Sequence, residues 1–125
     1  MSTPPKVIGI GGIFFTSENP IALYKWYREV LGIESEAWGT QFNLNQNSSK
    51  DAYAVWSIMD QKGDYFKPSA KQFMINFVVN SVAGFEQSLK EKGVEVLGKE
   101  ESDFGNFIWI LDPDGNKIEL WEPAK

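Results

Sequence analysis

Two stretches of this chain repeat one another. Asn19 to Glu34 (NPIALYKWYREVLGIE) and Asn80 to Glu95 (NSVAGFEQSLKEKGVE) carry Asn, Ala, Gly and Glu at the same intervals, 61 residues apart. Each reads as a helix with both ends written in. In the first, Asn19 is a good N-cap and Pro20 occupies the first helical position, where no amide hydrogen is missed. Leu23, Trp26, Tyr27, Val30 and Leu31 then form one apolar stripe, and Gly32 stands where a left-handed cap belongs. In the second, Asn80 or Ser81 caps, Val82, Phe85 and Leu89 make the stripe, and Gly93 stops the helix. A duplicated supersecondary unit buries its apolar faces by pairing its two copies, so the repeat constrains the fold more than any single motif does.

The flanks of the two helices match as well. Before the first lies Val7 to Phe15 (VIGIGGIFF), whose β-branched and aromatic residues favour a strand that Gly9, Gly11 and Gly12 weaken. After it come three expected strands, Glu34 to Trp38, Gln41 to Asn45 and Tyr53 to Met59. Before the second helix lies Phe73 to Val79, and after it Glu95 to Lys99, Phe107 to Leu111 and Lys117 to Trp121. Asp60 to Lys71 (DQKGDYFKPSAK) is polar and turn-rich, and reads as a linker. The spacing therefore predicts an α+β chain of two tandem βαβββ modules, about 7–60 and 72–123, joined by a linker at about 61–71.

The last strand carries a misplaced charge. Asp112-Pro113-Asp114-Gly115 is turn chemistry, with proline presetting φ and glycine accepting φ > 0. Beyond it, Ile118 and Leu120 share one sheet face, and Lys117, Glu119 and Trp121 share the other. Pattern alone leaves Glu119 either a solvated strand charge or a carboxylate carried into a cavity, and exposed charged faces are the rule for half-buried strands. Gln41, Asn43 and Asn45 form an amide row with the same two readings. Gly11 and Gly12 match neither a dinucleotide nor a P-loop fingerprint.

Composition removes several function classes. At 125 residues the chain is one domain by length. A net charge of −5 without a basic run argues against nucleic acid, whose binding depends on Lys and Arg contacts to phosphate. With no histidine and no cysteine, the commonest metal ligands and acid-base groups are missing. The start MSTPPKVIGI has no charged segment followed by an apolar one, and no apolar run reaches the length of a membrane span, so a cytoplasmic protein without membrane contact is expected. Five tryptophans and nine phenylalanines supply flat apolar surface suited to a core, an interface or a pocket for planar ligands.

The duplicated unit, the stretch NPIALYKWYREVLGI and the ending LDPDGNKIEL together resemble the vicinal oxygen chelate superfamily of glyoxalases, bleomycin-resistance proteins and extradiol dioxygenases. The resemblance runs from Val7 to Pro123. It implies two modules whose curved mixed sheets enclose a cavity, four facing residues that hold a divalent metal, a homodimer, and Glu119 turned toward the cavity. Carried over residue by residue, the metal site fails: its positions fall at Gly11 or Gly12, at Trp56, at Phe73 or Met74, and at Glu119, which alone can ligate. A single carboxylate does not complete a four- or six-coordinate site, so neither metal nor cofactor is expected. What remains is an aromatic pocket with one acid. Phe14, Trp56, Phe73, Trp109 and Trp121 are the candidate walls, and Glu119 is the candidate ligand-binding and catalytic group. The expected partner is a small organic molecule, bound without metal as bleomycin-resistance proteins bind theirs. The alternative is a glyoxalase-like lyase or isomerase with Glu119 as general base, with or without a divalent metal, so whether the chain is an enzyme stays open.

Overall fold

Both repeated stretches fold as helices in a computed structural model, which describes residues 4–43 and 53–124. The first helix, α1 (Pro20–Leu31), starts where the Asn19 side chain accepts the Ala22 N–H at 3.1 Å. It ends at Gly32, whose N–H still bonds the Arg28 carbonyl and whose φ of 71° turns the chain so that the Ile33 N–H reaches the Tyr27 carbonyl. The second helix, α2 (Val82–Glu91), is capped by Ser81, and Glu122 Oε1 accepts the Val82 N–H at 2.9 Å. Asn80 is not the cap. Its side chain instead accepts from Lys6 N and donates to Pro4 O, fastening the start of the chain.

Seven strands form one mixed sheet: β1 (Val7–Ser17), β2 (Thr40–Asn43), β3 (Tyr53–Asp60), β4 (Phe73–Val79), β5 (Gly98–Ser102), β6 (Gly105–Leu111) and β7 (Lys117–Pro123), in the order β2-β3-β1-β4-β7-β6-β5. The modules meet at the antiparallel β1–β4 pair. On either side of that seam the arrangement repeats, with β3 parallel to β1 and β7 parallel to β4. This is the duplicated α+β architecture, folded as one open curved sheet.

Two expected strands differ. Glu34–Trp38 supplies only a single bridge, Glu36 to Gly39. Its sequence, Glu-Ser-Glu-Ala-Trp, offers no β-branched residue and no apolar face to bury. Glu95–Lys99 is displaced to Gly98–Ser102, because Val94 and Val96 pack against the α2 core before the strand begins. Of the expected strand Gln41–Asn45, residues 44 and 45 lie outside the described residues.

The sheet has two different faces. On the outer one, Val79, Ile108 and Leu120 close over Val82 and Leu89 of α2. At the other end of that face, the Tyr24 hydroxyl of α1 donates to Ile58 O and accepts from Ile58 N. The inner face carries a smaller cluster, Phe14, Met74 and Phe66. Phe66 belongs to the connection between β3 and β4, which has neither helix nor strand and lies across one end of the inner face. No helix of the described residues is long and apolar enough to cross a membrane.

A candidate ligand site on the inner face of the sheet

The turn before β7 is built by Asp112, whose Oδ1 accepts the N–H groups of Asp114 and Asn116 and whose Oδ2 accepts Asn116 Nδ2. Gly115 takes the positive φ of 84° that closes it. From there the period of two runs without interruption. Ile118 and Leu120 enter the α2 core, while Glu119 and Trp121 face inward. Glu119 is only 2% exposed, which rules out a solvated strand charge.

Three neutral donors hold the buried carboxylate. Its Oε2 accepts from the Tyr65 hydroxyl at 2.5 Å and from Trp109 Nε1 at 2.7 Å, and its Oε1 accepts from Asn76 Nδ2 at 2.5 Å. Hydrogen bonds of this kind are what make a buried charge tolerable. Among the described residues, no lysine or arginine nitrogen lies within 4.0 Å of Glu119. The nearby Lys117 ammonium instead donates to the Tyr65 carbonyl and lies 5.2 Å from the Tyr65 ring and 5.7 Å from the Trp109 ring. Burial pulls Lys117 below its ordinary value, with Glu119 and Asp64 opposing. Burial, followed by the Glu119 charge, pushes the Tyr65 hydroxyl far above the tyrosine range, so it stays a donor.

Glu119 borders a cavity of about 550 Å³. Phe14, Tyr53, Val55, Met59, Phe107 and Trp121 give it a largely apolar wall. The Phe107 and Trp121 rings lie within 3° of parallel, with centroids 6.1 Å apart, and Tyr53 meets Trp121 edge to face. Ser57 is on the same side, its hydroxyl donating to Trp38 O at 2.5 Å.

Strand register identifies the positions equivalent between the modules. Gly12 is opposite Asn76 across the seam, Gly12 is opposite Val55 on β3, and Asn76 is opposite Glu119 on β7. By register, the metal positions that the resemblance implies fall at Gly12, Val55, Asn76 and Glu119. Gly12 and Glu119 were expected there. Val55 replaces Trp56, and Asn76 replaces Phe73 or Met74. A glycine, a valine, an amide and one carboxylate do not provide a coordination sphere. No group of three or more acidic, His or Cys residues able to hold a metal occurs among the described residues.

The other expected wall residues divide. Phe14 and Trp121 line the cavity, and Trp109, on the same face, bonds Glu119. Trp56 points the opposite way, packing with Phe15 and with Tyr24 and Tyr27 of α1. Phe73 is opposite Phe15 in register and 40% exposed, away from the cavity. Both errors are register errors: in a strand, a shift of one residue reverses the face. Gln41 of the amide row does line the cavity, whereas Asn45 lies outside the described residues. Asn76 lies within an apolar strand sequence, and Tyr65, like Tyr53, Lys117 and Arg28, is a polar group with an ordinary surface or core explanation in the sequence. No local signal marks either, because only the three-dimensional register and the linker path bring them to Glu119.

No protein-family model matches the chain, and no curated protein is recognisably similar to it. Solved structures share its fold. The methylmalonyl-CoA epimerase of Streptomyces coelicolor, in complex with 2-nitronate-propionyl-CoA, aligns with a TM-score of 0.70 at 16% identity, over 96% of this chain and 100% of that one. The methylmalonyl-CoA epimerase of Mycobacterium tuberculosis gives 0.66 at 14% identity, over 100% and 93%. Homoprotocatechuate 2,3-dioxygenase of Brevibacterium fuscum gives 0.66 at 15% identity, with the alignment spanning 98% of this chain and 34% of the dioxygenase. At these identities the likeness is one of fold: the chain shares the fold of the two epimerases and of the dioxygenase segment it aligns with.

Proposed function

We propose that the protein binds a small, flat, largely apolar organic molecule in the inner-face cavity, without a metal, much as bleomycin-resistance proteins hold their ligands. The observation that carries this reading is the buried Glu119 at the edge of an aromatic-walled space, fixed by three donors from three different segments. A carboxylate so held is preorganised, and a ligand hydrogen-bonded to it needs no rearrangement of the acid. A pocket that combines apolar walls with very few polar groups is the usual form of a small-molecule site.

Proton transfer is the second reading. A carboxylate offers about four acceptor positions, and the three protein donors leave one, on Oε1, for a substrate proton or a ligand donor. An isomerase or lyase would use that position as a base. Binding is favoured because the residues bonded to Glu119 are a phenol, an indole and an amide, with no second carboxylate or imidazole to complete an acid-base pair.

The test is a screen of planar aromatic compounds by tryptophan fluorescence, with hits confirmed by native mass spectrometry and then assayed for conversion. Saturable quenching with one ligand per chain and no turnover is expected. Turnover of a hit selects the second reading, and absence of binding across the screen overturns both.

A further inference from the structure

The three donors that hold Glu119 are not equally fixed. Asn76 and Trp109 stand on β4 and β6, paired on both sides or backed by β7, and Asn76 is itself buried. Tyr65 comes from the connection between β3 and β4, and it is 42% exposed although its hydroxyl reaches a carboxylate that is 2% exposed. The backbone of that connection is fastened around it. At the two ends, Gln61 N–H donates to Ser17 O and Thr16 N–H to Gln72 O; between them, the Tyr65 carbonyl accepts from Lys117, and the next residue, Phe66, is buried in the inner cluster. The Tyr65 ring is held more lightly, by its one hydroxyl bond, by edge contacts with Phe66 and Trp109, and by the Lys117 ammonium.

The ring also has room to move. A second space of about 500 Å³ lies between the ends of β1 and β3 and the connection to β4, bordered by Thr16, Asp60, Ser69 and Gln72 among others. Two residues border both this space and the cavity beside Glu119, namely Met59 and Tyr65. The partition is therefore a flexible thioether and an aromatic ring, and a turn of the Tyr65 side chain takes the ring out of one space and into the other. With the ring gone, Glu119 Oε2 keeps Trp109 as a donor and loses its cover.

We propose that Tyr65 is a displaceable stopper: its phenol holds the place on Glu119 Oε2 that an aromatic hydroxyl of the ligand takes when the Tyr65 ring turns into the second space. For a ligand with such a hydroxyl the exchange is nearly even, because one O–H donor to the carboxylate replaces another. A ring of the same size without a donor breaks the Tyr65 bond and returns nothing, or stays away from Glu119. Tyr65 is thus a specificity-determining residue that reserves the acid for hydroxyl-bearing aromatic ligands. The inference rests on the binding reading above and specifies its ligand class.

The test titrates 2-naphthol and 2-methoxynaphthalene, which share a ring system and differ in the donor, into the wild type and Tyr65→Phe by calorimetry at neutral pH. The wild type is expected to bind the naphthol about tenfold tighter than the ether, the scale of one hydrogen bond to a charged group. Tyr65→Phe keeps the ring and removes the competing hydroxyl, so the open state gains population and naphthol affinity should rise, by about tenfold, with little change for the ether. A second measurement follows the ring itself. In protein labelled with 3-fluorotyrosine, the Tyr65 fluorine resonance, assigned by its loss in Tyr65→Phe, should shift on saturation with 2-naphthol. Unchanged or weaker naphthol binding in Tyr65→Phe, or an unmoved Tyr65 resonance at saturation, makes Tyr65 a fixed wall and overturns the exchange while the cavity reading stands. Failure of both naphthalenes to bind either folded protein also overturns the exchange, and the cavity reading then stands or falls by its own screen.

Discussion

Asn76 and Glu119 are register partners on β4 and β7, and the Asn76 amide donates to the Glu119 carboxylate at 2.5 Å while its own oxygen stays unpartnered. One bond thus ties the first strand of the second module to its last, at the position where the two modules also meet through Gly12. Burying the acid and anchoring it are the same structural event.

Removing the acceptor exposes that dependence. Glu119→Leu leaves the Asn76 amide as a buried donor without a partner and frees the Tyr65 hydroxyl and Trp109 N–H. Each orphaned buried group costs about 1–3 kcal/mol, and the two aromatic groups can recover partly through water, so a total loss of about 2–4 kcal/mol is expected. Urea denaturation measures it, and a change below about 0.5 kcal/mol, the scale of a surface substitution, would contradict the buried network.

Trp56 separates stability from binding. Because it packs against Phe15, Tyr24 and Tyr27 rather than the cavity, Trp56→Ala should cost about 3 kcal/mol in stability through the space it leaves. Ligand affinity should stay unchanged in the folded variant. A selective loss of affinity at unchanged stability would place Trp56 in the site after all.

Alkaline pH should loosen the linker's attachment to the cavity. Tyr65 is held above the ordinary tyrosine value by burial and by Glu119. Its contribution to stability is complete below about pH 10, where the unfolded chain also keeps the proton, and is lost as pH rises further because only the unfolded chain releases it. Tyr65→Phe removes this linkage. Its unfolding free energy, from urea titrations between about pH 9 and 11, should fall less steeply than that of the wild type. Parallel slopes would contradict the coupling.

A second copy of the chain is expected to cover the outer face of β1. Ile10 and Ile13 lie there about half exposed, Trp26 on α1 is about half exposed as well, and exposed large apolar side chains are what an interface would cover. Sedimentation equilibrium should give a dimer at micromolar concentration; a monomer throughout that range removes the expectation.

The fold was largely legible in the sequence, and the site only in part, for a reason visible in particular residues. Helix ends depend on local chemistry, so Asn19, Pro20 and Gly32 could be read directly and bound the observed α1. The alternation around Glu119 is equally local, and it separated Ile118 and Leu120 from Glu119 and Trp121. Pairing the modules required more. The helices repeat at 61 residues, but the inner-face positions repeat at 64, as Gly12 with Asn76 and Val55 with Glu119 show. The difference arises because β1 has 11 residues and β4 has 7, so the stretch leading into α1 is longer than the one leading into α2. Carrying the helical offset onto the strands takes Gly12 to Phe73, on the opposite face from Asn76. Tyr65 sits in an aperiodic linker, where no pattern foretells which side chain turns inward.

The central claim is that Glu119 serves a ligand as well as the fold, and the direct measurement is calorimetric titration of one confirmed aromatic ligand into wild type and Glu119→Gln. The account predicts a loss of about 1.5–3 kcal/mol in binding free energy in the folded variant, the scale of a hydrogen bond to a charged group. Equal affinities in the two proteins, with the ligand still in the cavity, would contradict it.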